Sequence, residues 1–210
     1  MAGLHPLRAA GRNFTQMVTA AQLAPSLDRS STVPMDRDDT LARARGGDSA
    51  AFASLVRQHQ SMVFSLALHM LRSRSAAEDL AQEVFLELYR SLPRLESGAH
   101  ATSWLRKVTG HRCIDEIRRR QHRPEFQVEE MPDRGAAPVA RELFLADRVQ
   151  RLLADLPARA RMVVVLRFQE ELEPSEIADE LDMPVNTVKS HLRRSLAVLR
   201  AKLTTQGRQV

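Results

Sequence analysis

Apolar residues recur along this chain at steps of three and four, which is the period of an α-helix that buries one face. The clearest stripe lies between positions 52 and 70, and Asp48 just before it predicts a helix N-cap. Its members are Phe52, Leu55, Val56, His59, Met62, Val63, Leu66 and Met70. Gly46 and Gly47 separate this helix from a shorter one before it.

A second helix is predicted where Ser75 and Glu78 have the spacing of a capping box, in which each side chain satisfies a free amide of the first turn. This helix ends at Pro93 and carries an apolar stripe of Leu80, Val84, Leu88 and Leu92. A third helix is predicted over 101–121. Its apolar stripe is less regular and is interrupted by many basic residues.

The C-terminal part, over 139–203, predicts four more helices. The first carries Leu143, Leu152 and Leu156, and Pro157 opens the second. Pro174 and Pro184 suit the first position of the last two helices, where a missing N–H costs nothing. The turn between that pair is therefore expected at residues 182–183. The stripe of the last helix is expected to pack inward, and consists of Val185, Val188, Leu192, Leu196, Leu199 and Leu203.

Together these patterns predict an all-α fold with two small helical domains, over 37–123 and 139–205. Residues 1–36 contain several prolines and serines without a sustained period, which indicates a flexible N-terminal tail. Residues 124–138 lose the helical period and predict a flexible acidic linker. Its acidic members are Glu125, Glu129, Glu130 and Asp133.

Charge and composition limit the kinds of partner and the cellular location that the sequence predicts. A net charge of +5 over 210 residues favours a polyanionic partner, either nucleic acid or an anionic membrane surface. The apolar runs are too short to cross a bilayer, and the one cysteine, Cys113, fits a reducing compartment, so a cytoplasmic protein without membrane insertion is expected. No Cys/His spacing predicts a metal site.

No catalytic constellation is predicted. His59 and His69 lie on a core helix without a nearby nucleophile, and Cys113 has no base placed beside it. The sequence also has no glycine-rich phosphate loop. We therefore expect neither an enzyme nor a cofactor.

The last two helices predict a helix-turn-helix that reads DNA. Ile177, Ala178 and Leu181 are expected to support the final helix, whose leading end is polar and basic. Arg or Lys there can donate to guanine, and Ser and Thr can reach bases or phosphates. The candidate DNA contacts are Asn186, Thr187, Lys189, Ser190, Arg193 and Arg194. The alternative interpretation is a solvated basic face on a helical hairpin.

Two further helices carry opposite charges. The helix over 101–121 is basic, and Trp104 offers a plane for an unstacked base, although it could equally belong to the core. The helix over 75–89 is acidic, which suits a protein-docking face but is also common on solvent-exposed helices. Its acids are Glu78, Asp79, Glu83 and Glu87.

Three motifs, in this order, carry a resemblance to a known family. They are 77–85 (AEDLAQEVF), 103–105 (SWL) with 114–120 (IDEIRRR), and 176–178 (EIA) with 184–192 (PVNTVKSHL). The chain resembles a bacterial sigma factor of the sigma-70 family, in the extracytoplasmic-function (ECF) group that has only the second and fourth conserved regions. The resemblance covers 38–203, essentially all of the chain except the tail.

The resemblance implies that the protein directs core RNA polymerase to specific promoter DNA and helps open the minus-10 element. The acidic helix would dock on the polymerase through Glu78, Asp79, Gln82 and Glu83. The basic helix would hold the minus-10 element through Trp104, Arg106, Lys107, His111, Arg112, Arg118, Arg119 and Arg120. The final helix would read the minus-35 element. An anti-sigma factor is also an expected partner, because such partners are common in the family.

Departures from the family pattern bear on these roles. His111 stands where Asn is frequent, and Asp182 and Asn186 stand where Gly is frequent. Glu173 replaces the usual Ser or Thr cap, which predicts a weaker cap. The competing interpretation is a repressor or response-type activator that ends in a similar helix-turn-helix, but it leaves the Ser75 to Arg120 half without a role.

Overall fold

The computed structural model describes residues 37–121 and 150–206. Within these ranges every regular element is helical, which confirms the predicted all-α fold. The elements are α1 (Arg37–Arg45), α2 (Ser49–Leu71), α3 (Arg74–Ser91), a 3-10 turn (Leu92–Arg94), α4 (Gly98–Gln121), α5 (Ala158–Gln169), α6 (Pro174–Glu180) and α7 (Val185–Gln206). The predicted tail, the acidic linker and the helix start near Leu143 lie outside the described residues, so they stay predictions.

The chain divides into two compact units, and α2, α3 and α4 each contribute to both. Of the described residues, the first unit holds 37–61 and 85–102. The second holds 62–84, 103–121 and 150–206. The second unit thus combines segments from both sides of the predicted linker.

The first unit is organised by caps and a close backbone approach. The Asp48 carboxylate accepts hydrogen bonds from the N–H groups of Ala50 (2.9 Å) and Ala51 (3.1 Å), which confirms the predicted N-cap of α2. Gly98, at the start of α4, donates its N–H to the Asp38 carboxylate at 2.6 Å. A Cβ at Gly98 would lie 2.6 Å from the Cβ of Arg37, so only glycine fits there.

Two predicted helix starts were wrong. Helix α3 begins at Arg74, because the Ser73 hydroxyl accepts the N–H of Ala76 at 3.3 Å and so takes the capping role predicted for Ser75. Glu78 instead pairs with Arg74 at 2.9 Å, one helical turn away. Helix α4 begins at Gly98 rather than at residue 101, because Ser97 caps it by accepting the N–H of His100 at 3.1 Å.

The second unit contains a buried arginine. Helix α5 is buried from Ala160 to Leu166, and Arg161 within it is also buried. Its guanidinium donates to the backbone carbonyls of Met70 (2.7 Å), Ala154 and Leu156. Met70 lies in the last turn of α2, so Arg161 satisfies a carbonyl that a helix end leaves without an intrahelical partner. Arg161 therefore joins the end of α2 to α5.

Helices α6 and α7 form the predicted helix-turn-helix, and α7 packs against both α5 and α6. Pro174 is the first residue of α6 as predicted, whereas α7 begins at Val185, one residue after Pro184. The expected inward packing of the α7 stripe holds only in part. Val188 is fully buried, but Val185 and Leu203 are 37% and 42% exposed. A straight helix of this length extends beyond the two short helices that cover it.

Candidate nucleic-acid interface

The leading end of α7 presents a polar and basic face to solvent. Val188 and Ser195, both buried, fix the side of α7 that faces inward. The candidate minus-35 residues lie on the other side, where Ser190 is half-buried and the others are exposed: Asn186, Thr187, Lys189, Arg193 and Arg194. In the described part of the chain no carboxylate forms an ion pair with Lys189, Arg193 or Arg194. Their charges are available to a polyanion.

The support beneath this face is formed as predicted. Ile177, Ala178 and Leu181 are all buried in the second unit. At the start of α6, the Glu176 carboxylate accepts the N–H of Glu173 at 2.7 Å, and Arg167 donates to the Glu173 carboxylate at 2.8 Å. These bonds hold the turn before α6 although Glu173 replaces the usual Ser or Thr cap.

The first three basic residues of the candidate minus-10 helix pair with carboxylates that lie just after α5 and just after α6. Arg106 Nε lies 3.0 Å from Glu170 Oε2, with the two side chains 21% and 11% exposed. Lys107 Nζ lies 2.6 Å from Asp182 Oδ1, and His111 Nε2 lies 3.7 Å from Asp182 Oδ2. The sequence predicted that these three side chains contact DNA, and it did not predict their ion pairs with Glu170 and Asp182.

The remaining candidate minus-10 residues also find acidic partners. Arg112 lies 2.9 Å from Glu83, which joins a predicted DNA contact to a predicted polymerase contact. Glu116 holds both Arg119 and Arg120 at 2.8 Å, and Asp115 lies 3.7 Å from Arg118. Trp104 is half-buried, and is the one member of the set without an ionisable group.

The predicted docking residues on the acidic helix α3 are all exposed or half-buried. Asp79 is exposed, and Gln82 beside it is half-buried. Glu78 and Glu83 pair with Arg74 and Arg112, as described above. The four predicted docking residues therefore share one stretch of α3, in which Asp79 forms no ion pair within the described residues.

Two acidic groups near α4 have shifted pKa values. Burial raises the pKa of Glu180 to about 7, although the Ser103 hydroxyl donates to its carboxylate. Glu180 is only 5% exposed, and its Oε2 has no hydrogen-bond partner in the described residues. The hydrogen bond from Lys107 lowers the pKa of Asp182. Asp182 has a φ of 47°, which lies in the left-handed region where glycine is least strained. The family often has Gly at this position, so the acidic residue there was the sequence feature that could have pointed to Asp182.

Neither a metal site nor a membrane span is present in residues 37–121 and 150–206. No group of His, Cys, Asp and Glu there has the arrangement needed for a metal ion. None of the helices in these ranges is both long and apolar enough to cross a bilayer.

Comparison with known proteins decides the family. The model for sigma-70 region 2 matches residues 55–123, and the model for sigma-70 region 4 matches residues 146–199. The chain belongs to the sigma-70 family. Its similarity to several ECF sigma factors places it in that group.

Three relatives illustrate this placement. The ECF sigma factor SigW of Bacillus subtilis is 28% identical over 78% of this chain and 94% of its own length. SigE of Mycolicibacterium smegmatis is 34% identical over 73% of this chain and 63% of its own length. SigK of Mycobacterium tuberculosis (strain H37Rv) is 29% identical over 79% of this chain and 92% of its own length.

Two solved structures share the fold. One is CnrH in complex with the cytosolic domain of CnrY, with a TM-score of 0.62, 24% identity, and coverage of 81% of this chain and 97% of that one. The other is RpoE with the anti-sigma factor NepR from Bartonella quintana, with a TM-score of 0.58, 17% identity, and coverage of 73% and 96%. The protein is thus an ECF sigma factor, a transcription initiation factor that directs RNA polymerase to promoters and not a catalytic enzyme.

Proposed function

We propose that this sigma factor divides promoter recognition and polymerase docking between three helices. Helix α7 reads the minus-35 element, α4 binds the minus-10 element and helps open it, and α3 docks on core polymerase. The domains that carry these roles span 37–123 and 139–205, and the linker over 124–138 tethers them. The protein acts in the cytoplasm, where polymerase and chromosome lie.

One observation carries the minus-35 assignment: the leading end of α7 is basic, exposed and without an acidic partner in the described residues. Arg193 and Arg194 are adjacent on this face, so one guanidinium can address a base while its neighbour contacts a phosphate. The remaining contacts of this assignment are Asn186, Thr187, Lys189 and Ser190.

For the minus-10 assignment, the support is the basic character of α4 and the half-buried Trp104. An aromatic ring anchored on one side and open on the other can stack against an unpaired base. The basic residues assigned to the same element are Arg106, Lys107, His111, Arg112, Arg118, Arg119 and Arg120.

For docking, the support is the acidic, accessible stretch of α3 formed by Glu78, Asp79, Gln82 and Glu83. We also infer that an anti-sigma factor holds this protein inactive until its signal arrives. The support is that RpoE of Bartonella quintana, which shares the fold, was solved in complex with the anti-sigma factor NepR.

A holoenzyme experiment tests the division. Purified protein is mixed with core polymerase, and the DNA that the holoenzyme retains is sequenced and used as the template for transcription. Substitutions on α7 are expected to abolish promoter selection while the protein still binds polymerase, and those on α3 to do the reverse. Equal loss of both activities from either helix would contradict the proposal.

A further inference from the structure

The turn of the helix-turn-helix places one carboxylate against two basic side chains of α4. Asp182 follows α6, and its neighbours Leu181 and Met183 are both buried, so the turn is anchored on either side of it. Its two oxygens face Lys107 and His111, which lie one helical turn apart on α4. A phosphate group would present its oxygens to these two side chains in the same way.

Neighbouring contacts in the second unit hold this arrangement. A Cβ on Gly110 would lie 3.2 Å from the Leu181 side chain, so glycine at this point of α4 allows the turn to approach closely. Glu170 pairs with Arg106, and Glu180 lies against Ser103, so both contacts precede Lys107 along α4. Carboxylates from the end of α5, from α6 and from the turn thus line the same stretch of α4.

A second set of contacts fixes α5 against α2. The Gln169 side chain donates to the Ser65 hydroxyl at 2.8 Å. The buried Arg161 guanidinium bonds the Met70 carbonyl, as described above, and Gln150 bonds the His69 imidazole. Three polar contacts, in addition to the carboxylates on α4, therefore hold the C-terminal helices in this position.

From this geometry we propose that the chain has an autoinhibited closed state, in which Asp182 takes the place of a DNA phosphate on Lys107 and His111. The inference rests on the proposed role of α4 in minus-10 binding. Lys107 and His111 already face a carboxylate within the protein, so DNA must displace the turn before these two side chains of α4 can bind it. The closed state thus limits DNA binding by the protein when polymerase is absent.

The test begins with the closed state itself, measured by energy transfer between dyes on the full-length protein. Cysteines introduced by Ser75→Cys on α3 and Ala197→Cys on α7 are both exposed, whereas the native Cys113 is buried. High transfer is expected without substitution at Asp182, and lower transfer with Asp182→Asn. Asparagine tolerates the left-handed backbone, removes the charge and replaces one acceptor oxygen with an amide NH2 group. Asp179→Asn, an exposed residue one position before Glu180, is the matched control and should leave the transfer unchanged.

DNA affinity is then measured with a fluorescein-labelled duplex of mixed sequence. Releasing an exposed ion pair is expected to raise the affinity of Asp182→Asn about two- to fivefold. The dependence on salt should also steepen, by about one phosphate contact. In a background that carries both Lys107→Ala and His111→Ala, Asp182→Asn should give no such gain, because neither of the side chains that it frees is present.

Each contrary result has a distinct meaning. Low energy transfer in the unsubstituted protein, or transfer that Asp182→Asn does not change, would overturn the closed state or the role of Asp182. A gain in affinity that persists with both Lys107→Ala and His111→Ala would show a general charge effect and would overturn the phosphate analogy. If the closed state opens but DNA affinity does not change, the masking proposal fails, whereas promoter-directed transcription by the holoenzyme separately tests the proposed function.

Discussion

The guanidinium groups of this chain differ in how far the protein itself satisfies them. Arg161 is buried and bonds backbone carbonyls, and Arg106 is held by a largely buried carboxylate. Arg193 and Arg194 are exposed on α7 and form no ion pair within the described residues. The first kind stabilises the protein, and the second kind is available for binding, so substitutions should separate the two.

Replacing Arg193 or Arg194 with Ala should weaken promoter binding by about 1–3 kcal/mol, because a guanidinium that contacts a base loses its hydrogen bonds. Binding to core polymerase should stay unchanged. Fluorescence anisotropy with holoenzyme and a selected promoter measures the first quantity. Arg200→Ala, an exposed arginine farther along α7, is the control. An equal loss in this control would argue against a specific contact.

Replacing Arg161 with Met should lower the free energy of unfolding by about 2–3 kcal/mol, because charge-assisted hydrogen bonds to backbone carbonyls are lost in a buried site. Urea unfolding followed by circular dichroism measures this change. Arg159→Met, an exposed neighbour, should have little effect. A loss below about 0.5 kcal/mol for Arg161→Met would mean that water replaces the guanidinium at little cost.

Cys113 provides a residue-scale probe of global unfolding. Burial raises the pKa of its thiol to about 12, with a further contribution from the charge of Glu116. The thiolate needed for reaction is therefore scarce at neutral pH. Ellman's reagent should react with Cys113 only when the protein unfolds, at a rate that rises with urea. Rapid reaction in buffer alone would contradict the buried position.

At the scale of single helices, the sign of the charge distinguishes α3, which we propose docks on polymerase, from α7, which we propose reads DNA. Helix α3 exposes Asp79 among other acids, whereas the leading end of α7 has no acidic residue. Two helices of opposite charge cannot share one polyanionic partner, which is why docking and promoter reading are assigned to different elements.

Reversing the charge of Asp79 to Lys should weaken binding to core polymerase at least tenfold if α3 forms the docking face. DNA binding by the free chain should stay within about twofold, since Asp79 touches no basic residue of α4 in the described structure. A pull-down titration with core polymerase measures the effect. Asp179→Lys, which reverses an exposed acid on α6, is the control. If it weakens polymerase binding as much, docking depends on net charge alone.

Helical periodicity predicted the helices well, but it did not predict their ends or their partners. The ends depend on caps, and Ser73 caps α3 although Ser75 and Glu78 have the spacing of a capping box. A stripe shows that one face is buried, but it does not identify what covers it. Lys107 and Asp182 are far apart in sequence, so no local pattern could reveal their pair. The helix-turn-helix was predictable because its support, turn and reader are contiguous.

At the scale of the whole molecule, the proposed closed state is linked to pH through Glu180. The groups that face its carboxyl are Ser103, Arg106 and Lys107 from α4 and Glu176 from its own helix. Burial raises its pKa to about 7 in the closed state, whereas an opened, solvated carboxyl has a usual value near 4.5. A raised pKa means that closure takes up a proton, so this contribution to closure is fully present below about pH 4.5 and is lost as the pH rises to and through about 7.

Between pH 6 and pH 8 the ratio of closed to open molecules should therefore fall about tenfold. The dye pair on residues 75 and 197 measures this ratio directly. Glu180→Gln, which cannot ionise, should remove most of the dependence. The lowered pKa of Asp182 contributes only at more acidic pH, because its carboxylate stays ionised across this range. Closure that strengthens as pH rises would have the wrong sign for this mechanism.

The ion pairs that join α4 to Glu170 and Asp182 can form only late in the synthesis of the chain. The ribosome completes α4 before it reaches Glu170 and Asp182, so Arg106, Lys107 and His111 emerge without the groups that later cover them. At translation rates of about 5–20 residues per second this interval lasts on the order of ten seconds. We therefore expect these three side chains to be open to polyanions in the nascent chain until the residues that cover them have been made.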